Sequence, residues 1–505
     1  MIAHNDRPRR VIPRWRSPWT GVDRAETHPI DPAATITHAS TATAEVDAAT
    51  HAWKTLKNTR TAGDLLAAAS TGGEVNPEAT AAAEFLLAAP DASRVSRRVS
   101  LRFLDGAPIL AGDMAEQTID DRIAELKAAV RRNPRNALAW AERARQYALK
   151  GQLEPAQQSM RCAVAVAPDH RLVLRSAARL LIHRKETDAA QRLLFSSART
   201  VHDPWLLASE IAAATYGGRS SKLIATGRRM LESGRFPAEH LTELASAIAT
   251  VDLEAGADRR ARRLFEDSIT APNDNSLAQA EWAAGRLTLR GIDEKLTTTP
   301  ESYEALALAA SSNGRVEDAL NHGWGWLMDQ PFSPAPAYFG SHTGAKAMLY
   351  EKGAQFARQG LIANPGAPML VNNLAFCLAR LGQPDEAQRM LTQLDRSRLI
   401  AHERAVILAT EGLVAFRSGD PERGRRLYAD AIRTLSDRVD RAIARLMLAV
   451  EEMRILAPGR EQSSTLARRE AKAHLTGDAG GWIRHLEEAE TRSKPTPAQG
   501  SDING

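Results

Sequence analysis

The sequence predicts an all-α chain, a solenoid of about ten helical hairpins with a mostly irregular N-terminal extension. Three observations carry this. Of the 505 residues, 43% are apolar but only 5% aromatic, and alanine is abundant throughout while valine and isoleucine are sparse; alanine favours helices, and the scarcity of β-branched residues disfavours large sheets. Prolines recur 34 residues apart, at Pro134 and Pro168 and again at Pro331 and Pro365. Small residues then recur inside each interval, as in "VNNLAFCLARLGQPDEAQRML", where Ala375, Gly382 and Ala387 alternate with Val371, Leu374, Leu378 and Leu391.

A helical hairpin explains this spacing. Two antiparallel helices on a short turn pack closely only where small side chains meet. Glycine closes the first helix at positive φ, and proline stops the second. Counting Ala137 as position 1 puts Trp140 at 4, Ala144 at 8, Tyr147 at 11, Gly151 at 15, Ala156 at 20, Ala163 at 27 and Pro168 at 32. This pattern resembles the tetratricopeptide repeat (TPR), departing from it with Arg143 at 7 and Met160 at 24. Further copies start at Pro368 (Ala375, Gly382, Ala387, Leu391) and at Ala405 (Gly412, Gly419, Gly424, Tyr428, Ala431). Two more start at Pro300 (Tyr303, Ala307, Gly314, Ala319, Pro331) and at Thr242 (Ala249, Gly256, Ala261, Phe265). The stretches 171–204 and 205–236 keep only the hairpin length. One hairpin cannot bury its apolar stripe alone, so stacking is required.

In chain order, residues 1–30 form a basic Trp/Arg/Pro arm. Residues 31–117 read as a low-complexity linker with one helix, "PEATAAAEFLLAA", and a short strand or a packing loop at "RVSLRFLDG". A first TPR-like array spans 118–290, opening with "IDDRIAELKAAVRRNP". The frame is lost at 288–300, "TLRGIDEKLTTTP". A second array with a C-terminal cap spans 300–475, and 476–505 hold the cap's end and a disordered tail. Within the second array "NHGWGWLMDQPFSPAP" departs from the pattern, with Gly323 at position 24 and Trp326 at 27, which implies a local change in stacking.

The resemblance implies a concave groove lined by positions 2, 5, 9 and 12 of each first helix, taking an extended peptide or a helix of another protein. Carried over, these positions are Leu138, Ala141, Arg145, Arg175, Arg179, Asn372, Phe376, Val406 and Leu413. The Lys/Asn clamp that grips a C-terminal carboxylate in part of the family is absent, with Ala141 and Arg145 at positions 5 and 9. Arg145, Arg175 and Arg179 would favour an acidic ligand, or else are solvated helix faces.

A second candidate is "RPRRVIPRWRSPW", residues 7–19. Its three prolines forbid a regular helix, and Arg7, Arg9, Arg10, Arg14 and Arg16 interleave with Ile12, Trp15 and Trp19. Trp and Arg are enriched at binding hot spots. The segment fits a partner's groove, nucleic acid, or the chain's own solenoid. A scaffold or adaptor binding another protein is the reading adopted. The alternatives are a regulatory subunit of a companion enzyme or toxin, and a basic nucleic-acid binder.

The formal net charge, +5 over 505 residues, permits an anionic partner without requiring one. No HExxH, CxxC, phosphate-binding glycine loop or GxSxG elbow occurs, so no enzyme activity, cofactor or metal is expected. Cys162 and Cys377 read as buried small hydrophobes. No run of about 18 apolar residues and no secretory signal is found, which makes the cytoplasm the default location.

Overall fold

The computed structural model describes residues 9–17, 26, 41–72, 76–92, 94–104, 118–475 and 477–493. Among these, regular structure consists of 26 α-helices and three short 3-10 turns, with no strand. The chain forms an all-α, TPR-like array in two compact units. The N-terminal unit comprises Asp6–Leu308 with Met328–Phe332, and the C-terminal unit comprises Met1–Asn5, Ala309–Leu327 and Ser333–Gly505. This division falls later than the frame break at 288–300.

After α5 (Ile119–Arg132), the N-terminal unit holds five helix pairs. They are α6 and α7 (Ala137–Leu149, Leu153–Val166), α8 and α9 (Arg171–His183, Thr187–Ser196), α10 and α11 (Pro204–Tyr216, Ile224–Glu232), α12 and α13 (Ala238–Glu254, Asp258–Ser268), and α14 and α15 (Asp274–Ala284, Ile292–Thr298). The division passes through α16 (Tyr303–Ser312) and α17 (Val316–Asp329). The C-terminal unit holds α18 and α19 (Pro334–Lys346, Tyr350–Ala363), α20 and α21 (Pro368–Arg380, Pro384–Thr392), α22 and α23 (Ala401–Arg417, Pro421–Thr434), and α24 and α25 (Arg438–Arg454, Arg460–His474). A final helix, α26 (Ile483–Ser493), follows a 3-10 turn at Gly477–Trp482.

The turn inside most pairs is marked by one residue in the left-handed region. Gly151, Gly218, Gly256, Gly314, Gly382 and Gly419 hold this place as glycines, at φ between 69° and 87°. Lys185 (66°), Met348 (63°) and Leu456 (53°) hold it as side-chain-bearing residues. Counted back from Lys185, the 171–204 stretch is a full repeat, with Ala178 and Ala190 both at 0% exposure at positions 8 and 20. Met348 hides another repeat, with Gly353 at 20 and Gly360 at 27. Between α14 and α15 the left-handed residue is Gly291 (φ 77°), which caps the start of α15 instead of closing α14, and α15 is only seven residues long, which is where the frame is lost.

Close helix crossings require the small residues. A Cβ on Gly344 would lie 2.8 Å from the Gly353 nitrogen, and one on Gly353 would lie 2.9 Å from the Cys377 sulfur. In "NHGWGW", Gly323 vacates space that Phe339 occupies, since a Cβ there would sit 3.0 Å from the Phe339 ring. Trp324 meanwhile stacks edge-on against Phe356 at 5.1 Å. The departure is thus an exchange of bulk between neighbouring helices. Cys377 is fully buried and Cys162 half-buried, and neither forms a disulfide.

Residues 31–117 differ from the expected linker. Four helices lie here: α1 (Thr41–Thr55), α2 (Thr59–Gly72), α3 (Pro77–Ala88) and α4 (Arg94–Leu104). Their core joins Trp53, Leu65, Leu66, Ala82, Ala83 and Leu86. The expected helix in "PEATAAAEFLLAA" is α3, capped by the Asn76 side chain accepting from the Glu78 N–H. The stretch read as a short strand or a packing loop is α4. The alternation of Val99, Leu101 and Phe103 misled, because Leu101 is 51% exposed while Ser96, Val99, Ser100 and Phe103 are covered, a helical spacing. Residues 31–40, 73–75, 93 and 105–117 of the expected linker and 494–505 of the tail lie outside the described residues.

Candidate functional site

The N-terminal arm lies on helices of its own unit. Residues 9–17 have no regular secondary structure, and burial alternates along them: Val11, Pro13, Trp15 and Ser17 are buried, while Ile12, Arg14 and Arg16 are half-covered. A period of two means an extended segment with one face pressed inward. Val11 and Trp15 are each 1% exposed. Val11 packs among Leu207, Ile211, Leu244 and Ile248. Trp15 meets Phe332 edge-on at 5.3 Å.

The arm's backbone is held as a bound peptide would be. Gln279 Nε2 donates to Arg9 O at 2.9 Å, Asn275 Nδ2 to Ile12 O at 3.1 Å, and Arg145 Nε to Trp15 O at 3.1 Å. Trp15 N donates to Gln330 Oε1 at 3.4 Å.

Its arginines meet a row of carboxylates. Arg9 bonds Glu304 at 2.8 and 2.9 Å. Arg10 pairs with Glu254 at 2.6 Å. Arg14 bridges Asp274 at 2.7 Å and Glu304 at 2.5 Å. Arg16 joins Asp274 at 2.9 Å and Asp329 at 2.8 Å. Burial alone would favour neutral guanidinium at Arg14 and Arg16, but Glu304 and Asp274 beside the first, and Asp274 and Asp329 beside the second, outweigh it and raise both. Burial likewise pushes the Glu304 carboxyl up, yet Arg9 and Arg14 hold it down at about 2. The groove is therefore acidic and the arm basic, with charge matched at close range.

The sequence-predicted groove residues line this face but are occupied. Arg145 donates to the Trp15 carbonyl and pairs with Glu142 at 3.2 Å. Arg175, 1% exposed, pairs with Glu26 at 2.5 Å and Glu243 at 2.9 Å. Arg179 lies over the Phe332 ring at 4.7 Å, and burial, with Arg14 nearby, lowers it to about 10. These three arginines are thus neither solvated faces nor open to an acidic ligand. Leu138 and Ala141 are buried.

In the C-terminal unit the corresponding positions are also covered. Asn372 is 0% and Phe376 2% exposed. Phe376 meets Trp482 edge-on at 6.1 Å, and His485 Nε2 donates to Lys346 O at 3.1 Å. Val406 and Leu413 are buried in the same core.

Of the arm residues named from sequence, Arg9, Arg10, Ile12, Arg14, Trp15 and Arg16 are brought together on this surface, turned toward their own chain. Trp19 and Arg7 lie outside the described residues. Sequence reasoning missed the acidic partners, although Glu304 stands at groove position 5 counted from Pro300 and Glu243 at position 2 counted from Thr242. Asp274, Asn275 and Gln279 sit on α14, just before the stretch 288–300 where the frame is lost. Among the described residues no group of three or more His, Cys, Asp or Glu is arranged to hold a metal ion, and no helix is long and apolar enough to cross a membrane.

No protein-family model and no curated protein matches the chain. Solved structures that align with it include yeast Tom70, at 13% identity and a TM-score of 0.30, covering 81% of this chain and 96% of that one. The human IFIT1 dimer with PPP-AAAA aligns at 15% and 0.36, covering 70% and 88%. The APC/C hetero-tetramer Cut9–Hcn1 aligns at 12% and 0.36, covering 89% and 93%. At these scores the likeness carries no argument, and the fold rests on the chain's own helices.

Proposed function

We propose that the chain is a protein-binding scaffold whose N-terminal unit recognises an extended, arginine-bearing segment anchored by a buried tryptophan. The arm at residues 9–17 occupies that groove in cis. The carrying observation is the pairing of Arg9 and Arg14 with Glu304, flanked by side-chain bonds to the arm's own carbonyls. Side-chain amides that read a backbone, carboxylates that read guanidinium groups and a pocket that takes an indole together make a peptide-recognition surface. The partner is then a protein carrying a basic segment of this kind, rather than the acidic one suggested by Arg145, Arg175 and Arg179. A tethered occupant has a high effective concentration, so an outside segment competes only when it binds more tightly or when the arm is removed.

The test is a chain lacking residues 1–24, titrated with a synthetic peptide of residues 7–19. Binding to the shortened chain, weak binding to the full chain, and at least tenfold weaker binding by a shortened Glu304→Gln variant are expected. A shortened chain that keeps its helical content and ignores the peptide would sink the reading.

A further inference from the structure

We propose that a second site, a cavity of about 430 Å³ in the C-terminal unit, binds a small molecule through a phosphate monoester group. This goes beyond the groove of the N-terminal unit and does not depend on it. The cavity is walled by α20, α22, α24 and α26, and its polar lining includes Arg380, Arg417, Arg454 and Arg492. Its volume falls within the usual span of small-molecule sites, about 300–1,000 Å³.

Guanidinium groups outnumber carboxylates around this cavity. Three guanidinium groups converge on the single carboxylate of Glu451, which is 0% exposed. Arg380 and Arg417 reach its Oε1 at 3.1 and 2.7 Å, and Arg454 reaches Oε2 at 2.8 Å. Arg492 is cancelled by Glu488 at 2.5 Å. The nearby Glu452 is engaged with Arg425 at 3.4 Å. His485, also in the lining, adds no charge, because burial and then Arg380 push its imidazole down to about 3. Two positive charges are left over.

Hydrogen-bond donors are left over as well. Arg417 is bonded to Glu451 through Nη2 alone among its terminal nitrogens. Each guanidinium carries five donors, of which Glu451 uses a minority. Arg380 is further fixed by its Nε donating to the Tyr350 hydroxyl at 3.0 Å, so its fork is already aimed. A phosphate monoester carries about −1.5 to −2 charge at pH 7 and three acceptor oxygens, matching both surpluses. A carboxylate would neutralise only half the charge. Arginine is the side chain whose planar fork suits phosphate geometry.

The experiment is calorimetric titration of the full chain with inorganic phosphate, AMP and adenosine. AMP and phosphate should bind, and adenosine should not. Arg417→Gln and Arg454→Gln should each weaken AMP at least tenfold while helical content is retained. The Arg454 side chain is 40% exposed, so its replacement tests the site even where Arg417→Gln does not fold. No binding of phosphate or AMP at millimolar concentration, adenosine binding as well as AMP, or unchanged AMP affinity in a folded variant would each overturn the proposal.

Discussion

Arg9 and Glu304, 295 residues apart in the chain, meet side by side: Arg9 Nε donates to Oε1 at 2.8 Å and Nη2 to Oε2 at 2.9 Å. This bidentate pair fastens the arm to α16, and it makes the fastening sensitive to acid. The Glu304 carboxyl is lowered from 4.5 to about 2 in the folded chain, because Arg9 and Arg14 outweigh its burial. A depressed carboxyl contributes stability that is present above its unfolded value and lost as pH falls through its folded value. The advantage of the native chain over Glu304→Gln should therefore stay constant from pH 7 to about 4.5, then shrink toward pH 2. Urea midpoints at pH 7, 4.5 and 2.5 measure it. A gap that does not change with pH would contradict the pairing.

Trp15 anchors the arm by packing. It is 1% exposed and stacked on Phe332. Truncating a buried tryptophan to alanine typically costs about 3–5 kcal/mol. Trp15→Ala should release the arm before it unfolds the helices. Trypsin should then cut after Arg14 and Arg16 at least tenfold faster while far-ultraviolet circular dichroism is unchanged. Equal cleavage rates would mean that the indole contributes nothing to docking.

The repeat was legible because close helix packing leaves a mark at fixed spacing: Ala144 and Ala156, or Ala375 and Ala387, can be counted by eye. Repeats whose turn carries Lys185 or Met348 in place of glycine were harder to see, since a left-handed φ on such residues has no sequence signature. The helix at Val99–Phe103 was read as a strand or a loop because an apolar alternation over five residues also fits a helix face. The arm's composition marked it as a binding segment, but its binding surface is spread over α12, α14, α16 and α17. Matching Arg9 with Glu304, or Arg16 with Asp329, depends on stacking that no local pattern encodes.

Gly344 and Gly353 mark a place where the backbones of α18 and α19 meet directly. A Cβ on Gly344 would stand 2.8 Å from a backbone nitrogen and 2.9 Å from a Cα, neither of which can rotate away. Alanine improves helix propensity by about 1 kcal/mol over glycine. Overpacking typically costs about 1–3 kcal/mol. The clash should win, leaving Gly344→Ala less stable by up to about 2 kcal/mol. The substitution Gly63→Ala within α2, with nothing within 4 Å of the new Cβ, should instead gain stability. Thermal melts of the two variants give opposite signs if the helices touch as described, and the same sign if they do not.

Lys185 and Gly151 hold the same turn position at φ 66° and 69°, and this permits a reciprocal test. For an L-residue the left-handed conformation costs about 1–2 kcal/mol. Glycine removes that strain but loses more chain entropy on folding, by about 0.5–1 kcal/mol. Lys185→Gly should therefore stabilise the chain by about 0.5–1 kcal/mol. Gly151→Ala adds the strain and has to lose about the same amount. Chemical denaturation of both variants, read at one pH and one temperature, should give free-energy changes of opposite sign. Two changes of the same sign would show that the turn is set by its neighbours and that its left-handed residue is incidental.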